Sequence, residues 1–200
     1  FIVKPMHVLM VYAHPDPHSF NGAIKDSAVA TLSGQGHVVN VSDLYAMRFK
    51  AVADADDFSP QADSGRLDYA REQATAHAHG TTAPDIKAEQ TKLARADLVI
   101  FQFPLWWYSV PAILKGWFER VLAAGFAYGE GRLFDQAGLR GTRAVLSFTT
   151  NGRASAYAPD GWHGPLETSV APIHQGLRFV GFDILPPNAM FNVEIGRAHV

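Results

Sequence analysis

The sequence predicts an α/β fold, a doubly wound parallel sheet with helices on both faces. Two patterns and a size predict it. Short apolar runs bounded by turn residues alternate with helix-patterned segments, the rhythm of strand–helix–strand units. The runs are apolar at consecutive positions rather than at every second one, as strands covered on both faces require. The 200 residues, 48% of them hydrophobic, supply one sizeable core.

Residues 6–13 (MHVLMVYA) form the first run, read as a buried central strand ending in the turn-rich HPDPHS. Ser19 can cap a helix over residues 20–33, because its hydroxyl can accept a first-turn N–H; Gly34 and Gly36 close that helix. Residues 38–41 (VVNV) are the second strand, ending near Asp43. Residues 48–84 break the rhythm: they are polar and Ala-rich, a long excursion with one helix near residues 67–79. Asp85 is read as the cap of a helix reaching Arg95. Residues 98–103 (LVIFQF) are the third strand, stopped by Pro104. Pro111 suits the first turn of a helix over residues 112–123. Residues 144–149 (AVLSFT) are the fourth strand. Residues 164–179 are the last helix in spite of Pro165 and Pro172, and residues 182–185 are a short fifth strand before Pro186-Pro187.

Composition narrows the function. A formal net charge of −2 points away from nucleic acid and anionic membranes as partners. The chain has no cysteine, which excludes disulfides, thiolate metal sites, iron–sulfur clusters and thiol nucleophiles, and fits a reducing cytoplasm. No apolar run reaches the length of a membrane-spanning helix. His14 and His18 are four apart, but Pro15 and Pro17 forbid the helix that would make them a metal pair, so no metal is expected. His77, His79 and the acidic run Asp54, Asp56 and Asp57 read as solvated. The expected domain is residues 6–193. Residues 1–5 precede the first Met and are read as upstream. Residues 194–200 (EIGRAHV) match the translation of a sequencing-library adapter and are read as a non-native tail.

Two strand orders compete for this pattern. A dinucleotide-binding sheet needs G-x-G-x-x-G after its first strand, but residues 14–19 there contain no glycine, and no Walker A motif occurs. The flavodoxin-like order, 2-1-3-4-5, is therefore preferred. Ligands then bind beyond the carboxyl ends of strands one and three. Three loops converge at that point.

In the first loop, Ser19 and the backbone N–H groups of Phe20 and Asn21 form a helix-start anion site, with His14 as a further donor. The competing reading is a plain helix cap and a surface histidine. The second loop, Pro104-Leu105-Trp106-Trp107-Tyr108, offers large aromatics to wall a flat conjugated ligand; Trp107 and Tyr108 are the favoured walls, Trp106 less so, and core or dimer contacts are the alternative. The third loop holds Thr149, Thr150, Asn151 and Gly152, then Tyr157 and His163. Hydroxyls and an amide suit the polar edge of an isoalloxazine ring. A phenol and an imidazole can donate to the negative charge that such a ring gains on reduction. A surface Tyr and a capping His are the bland alternative.

These segments resemble the NAD(P)H:quinone oxidoreductase family, the DT-diaphorase-like flavoproteins. The resemblance covers about residues 8–182. It rests on Tyr12-Ala13-His14 with Ser19-Phe20-Asn21, on SDLYAM at residues 42–47, on ADLVIFQFPL at residues 96–105 and on VPAILKGWFERV at residues 110–121. It implies a homodimer with FAD at each subunit interface, FMN being the second choice. It also implies ping-pong turnover, in which NAD(P)H reduces the flavin, leaves, and is replaced by a quinone.

By position, the resemblance assigns His14, Ser19, Phe20 and Asn21 to the FAD phosphates. Pro104, Leu105, Trp107, Tyr108, Thr149, Thr150 and Gly152 fall to the isoalloxazine, with Trp106 and Asn151 in the same loops. Tyr157 and His163 become the catalytic pair, and Glu119 a residue near the adenosine. Tyr128 and Phe179 become pocket residues lent by the partner subunit. Trp106 and Asn151 depart from mammalian members, which have Gln and Gly there; Asn tolerates left-handed backbone, so the turn is expected to survive. The family's chain also continues past residue 200, where it completes the adenosine site. Other readings are a regulatory flavoprotein subunit of a potassium-efflux antiporter, a small FMN electron carrier, or an azo- or nitroreductase.

Overall fold

The computed structural model describes residues 4–62 and 65–194. The expectations for the extreme termini lie largely outside them: residues 1–3 and 195–200 are not described. The sheet runs in the order β2-β1-β3-β4-β5, built from β1 (His7–Tyr12), β2 (Val38–Asp43), β3 (Leu98–Pro104), β4 (Arg143–Thr149) and β5 (Asp183–Ile184). All of its pairings are parallel. This is the expected order. The central strands carry Leu9, Val11, Phe101, Phe103, Leu146 and Phe148 into one core with Leu114 and Trp117. Each such fully buried side chain contributes roughly 1.5–3 kcal/mol.

The helices are α1 (Phe20–Gly34), α2 (Tyr69–His79), α3 (Pro84–Leu93), α4 (Ala112–Val121) and α5 (Leu166–Phe179). Ser19 caps α1 as expected, its Oγ accepting the Gly22 N–H at 3.2 Å. Asp85 does not cap α3. Pro84 at the helix start moves the boundary back to Ala83, and Asp85 sits in the first turn. There its carboxylate takes Arg120 Nη1 at 2.6 Å instead. The last helix starts two residues later than expected, after Pro165, and runs through Pro172.

A sixth strand, β6 (Asn188–Met190), was not expected. It pairs with the carboxyl half of β4, Ser147 to Thr149, while β5 pairs with Arg143 and Ala144. Between them lie Pro186 and Pro187, which have no N–H to offer a ladder. One edge is thus covered in two pieces, and the second piece reaches the carboxyl end where ligands are expected.

The acidic run in the excursion is also not what its composition suggests. Asp57 is 3% exposed. Its carboxylate accepts from Arg120 Nη2 at 2.7 Å, Tyr69 Oη at 2.6 Å and Lys50 Nζ at 2.9 Å. Arg120, on α4, is itself 1% exposed. The solvated reading holds for Asp56 and fails for Asp57, because a buried guanidinium 63 residues away supplies its counter-charge. His77 is likewise half-buried, its ring 6.2 Å from that of Phe126, and burial lowers its pKa.

Candidate active site

Beyond the carboxyl ends of β1, β3 and β4 lies a cleft of about 610 Å³. His14, Ser19, Phe20 and Asn21 line one side, and Pro104, Leu105 and Trp106 another. Thr149, Thr150 and Asn151 form its inner edge. The three predicted loops therefore meet where the topology said they should.

The anion end is the start of α1. Gly22 and Ala23 N–H bond to Ser19, which leaves the Phe20 and Asn21 N–H groups without an intrahelical acceptor. His14 Nδ1 lies 3.0–3.1 Å from the Asp16 carbonyl and N–H, so in either tautomer that nitrogen is partnered and Nε2 is left for a ligand. The Asn21 side chain serves the frame instead. It accepts from Gln102 Nε2 and donates to Thr149 Oγ1, both at 2.8 Å. Thr149 Oγ1 is thereby an acceptor inside the protein, and its own proton is available to the cleft.

The second loop is a two-residue turn closed by Trp106 and Ser109, which exchange backbone hydrogen bonds of 2.9 and 3.0 Å. Its two central residues, Trp107 and Tyr108, have φ of 52° and 56°. Large aromatics rarely occupy this left-handed region, and each costs of order 1–3 kcal/mol there. Both N–H groups lack a partner among the described residues. The aromatics divide in the opposite way from the expected one. Trp106 lines the cleft, 6.2 Å from the His14 ring, while Trp107 is 97% exposed.

The third loop places the predicted pair together. A 3₁₀ turn (Ala154–Tyr157) delivers Tyr157, and the His163 N–H bonds to the Ala156 carbonyl at 2.8 Å. The two rings lie 4.7 Å apart. Tyr157 Oη is 2.8 Å from Thr150 Oγ1, which also accepts the Gly152 N–H at 3.2 Å. His163 Nδ1 is 2.7 Å from Tyr108 Oη. Neither Asn151 nor Gly152 has a positive φ, so the tolerance of Asn for left-handed backbone is not used here. Gly152 is needed for space: a Cβ there would stand 2.8 Å from Tyr157 Cε2 and 3.4 Å from both Tyr157 Oη and His163 Nε2.

A family model described as a flavodoxin-like fold matches residues 6–199. The chain is 46% identical over 187 residues to NAD(P)H dehydrogenase (quinone) 1 of Rattus norvegicus, covering 92% of this chain and 68% of that protein. It is 46% identical over 190 residues to ribosyldihydronicotinamide dehydrogenase (quinone) of Homo sapiens, covering 94% and 82%. The chain belongs to the flavodoxin-like NAD(P)H:quinone oxidoreductase family. A solved structure from Klebsiella pneumoniae, assigned as a quinone reductase, superimposes with a TM-score of 0.91 at 44% identity, covering 96% of this chain and 78% of that one.

Trp107, Tyr108, Gly152, Tyr157 and His163 adjoin the cleft's loops without lining it, and Glu119, Tyr128 and Phe179 stand apart from it. Glu119 lies exposed on α4, ion-paired with Lys115. The Tyr128 and Phe179 rings meet tilted at 5.4 Å, with Phe134 against Phe179 at 5.6 Å, and neither lines the cleft. Val193 and Glu194 do line it and were not expected. They follow β6, and backbone bonds from Asn192 N–H to the Gly152 carbonyl and from Val193 N–H to the Thr150 carbonyl hold them there. The only sequence signal for them was that β4 needed a neighbour at its carboxyl end.

Proposed function

We propose that this protein reduces quinones by two electrons at the expense of NAD(P)H, through a flavin held in the cleft. The observation that carries this reading is a cleft with a helix start on one side and, at its inner edge, Thr150, whose hydroxyl meets Tyr157 Oη at 2.8 Å with the His163 ring beside it. The donor set fits a flavin. The Phe20 and Asn21 N–H groups with Ser19 suit a phosphate, and His14 Nε2 adds a donor beside them. Thr149 Oγ1 and the N–H groups of Trp107 and Tyr108 suit the polar edge of a flat ring. Trp106 walls its face.

When bound, the flavin supplies hydride acceptance from nicotinamide and hydride donation to quinone, one after the other. The chain's own residues govern charge. With the Gly152 N–H on one lone pair, the Thr150 hydroxyl can donate to Tyr157, which frees the phenol proton for the ring. His163 Nε2 can add a second donor, or a proton, where negative charge gathers. Buried Thr149 and Thr150 keep water from that edge.

Support for FAD rather than FMN, and for a homodimer, is that Glu119, Tyr128 and Phe179 lie outside the cleft of their own chain. In a dimer they are supplied to the partner's site, Glu119 at the adenosine and the two aromatics over the quinone. The same exchange fits ping-pong turnover, with one pocket serving nicotinamide and quinone in turn. The proposed compartment is the cytoplasm, where NAD(P)H is available; among the described residues no helix is long and apolar enough to cross a membrane.

The test is one anaerobic spectral series on the protein with FAD. NADPH is expected to bleach the flavin band, and menadione to restore it. A bound flavin that neither NADPH nor NADH reduces would overturn the enzymatic reading in favour of a regulatory flavoprotein, and absence of any bound flavin would overturn both.

A further inference from the structure

We infer that Tyr108 is a positioning residue for His163, fixing which imidazole nitrogen faces Gly152 and Tyr157. The inference deepens the proposed function and rests on it for its kinetic consequence. The two ring nitrogens of His163 look in different directions. Nδ1 is 2.7 Å from Tyr108 Oη, on the loop after β3, whereas Nε2 faces Gly152, 3.4 Å from where a Cβ would stand, on the side that Tyr157 Oη also faces. An imidazole turned over would lose the phenol and put a carbon where Nε2 now faces Gly152 and Tyr157.

Tyr108 is held for this task at a cost. It occupies a left-handed backbone position, φ 56°, next to another, Trp107 at 52°. It is 54% exposed, so packing does not account for the conformation. What the strained turn achieves is contact between loops 55 residues apart: the Tyr108 and His163 rings meet edge-on at 5.5 Å with the hydrogen bond between them. A phenol is also a suitable partner for a group that changes charge. It donates to Nδ1 of neutral imidazole and accepts from Nδ1–H of imidazolium, so the ring stays oriented in both forms. A carboxylate at this place would instead favour the cation.

Two measurements test the assignment. In ¹⁵N–¹H spectra of the histidine rings of the cofactor-free protein, with His163 identified by its loss in His163→Gln, Nδ1 is expected to show the shift of an accepting nitrogen. Tyr108→Phe should abolish that signature. In the flavin-loaded protein, Tyr108→Phe is expected to slow flavin reduction by about fivefold, the worth of one neutral hydrogen bond. In the His163→Gln background the same substitution should have no further effect. An unchanged His163 spectrum, or an equal slowing in both backgrounds, would overturn the inference and leave Tyr108 as an exposed aromatic of its turn. If the wild type does not reduce flavin, the proposed function fails, and the spectrum still decides whether Tyr108 holds His163.

Discussion

A methyl group added at Gly152 would stand 2.8 Å from an edge carbon of Tyr157, closer than such contacts occur. Gly152→Ala should therefore push Tyr157 off its present line while leaving the sheet intact. Stopped-flow reduction of bound flavin is expected to slow by roughly tenfold, in keeping with the cost of a displaced donor, with an unchanged melting temperature. Removing the donors themselves is more severe. Tyr157→Phe combined with His163→Gln should slow hydride transfer by roughly one to two orders of magnitude, the usual range for general acid–base groups. An unaltered rate in that double variant would remove them from the chemistry. At this scale the sequence was readable where meaning is local, as for Ser19, whose hydroxyl caps α1 as its position before the helix predicts. It was unreadable where meaning depends on a distant partner. Asp57 looks like one of three surface carboxylates until Arg120 is found against it, and Tyr108 looks like a ring until its hydroxyl is found on His163.

Elements act here through their ends. The buried Asp57–Arg120 pair ties the 3₁₀ turn (Ala55–Asp57) of the long excursion to α4, and Tyr69 adds the start of α2. Burial alone would raise the Asp57 pKa, but hydrogen bonds from Arg120, Tyr69 and Lys50 outweigh it and bring the carboxyl from 3.8 down to about 2. A pKa lower in the folded protein than in the unfolded chain stabilises the fold above the unfolded value. That stability, roughly 2 kcal/mol, is lost as pH falls from about 4 to about 2. Urea titrations at pH 7 and pH 3 should show the loss in the wild type. Asp57→Asn should be destabilised at both, by about 3–5 kcal/mol at pH 7, because Arg120 stays buried without its counter-ion. At the start of α1, Ser19→Ala should cost about 1 kcal/mol in chemical denaturation and weaken flavin binding as well, since one cap hydroxyl serves both. The elements themselves were legible because buried parallel strands give unbroken apolar runs. β6 was not: three residues, Asn188 to Met190, carry no pattern, and Pro186-Pro187 reads as an ending when it is a gap between two halves of one edge.

On the scale of the whole molecule, the strand order followed from the missing glycine-rich loop after β1. A single chain does not show whether any of its residues act on a neighbouring copy. In the protomer Glu119 is exposed and paired with Lys115, while Tyr128 and Phe179 are half-buried against the edge of the core. If two copies share a site, sedimentation should give a dimer. Phe179→Ala should then raise the KM for quinone several-fold while leaving the anaerobic spectrum of bound flavin unaltered. A monomeric, fully active protein would show that the cleft is complete by itself. The stitching of Thr150 and Gly152 to residues 190–193 has a further consequence, for the order of events on the ribosome. Every strand from β1 to β4 has emerged before those residues are made. A nascent chain halted ahead of residue 188 lacks the backbone that braces the loop carrying Tyr157 and His163. Synthesis thus leaves that loop among the last parts of the fold to gain its backbone partners.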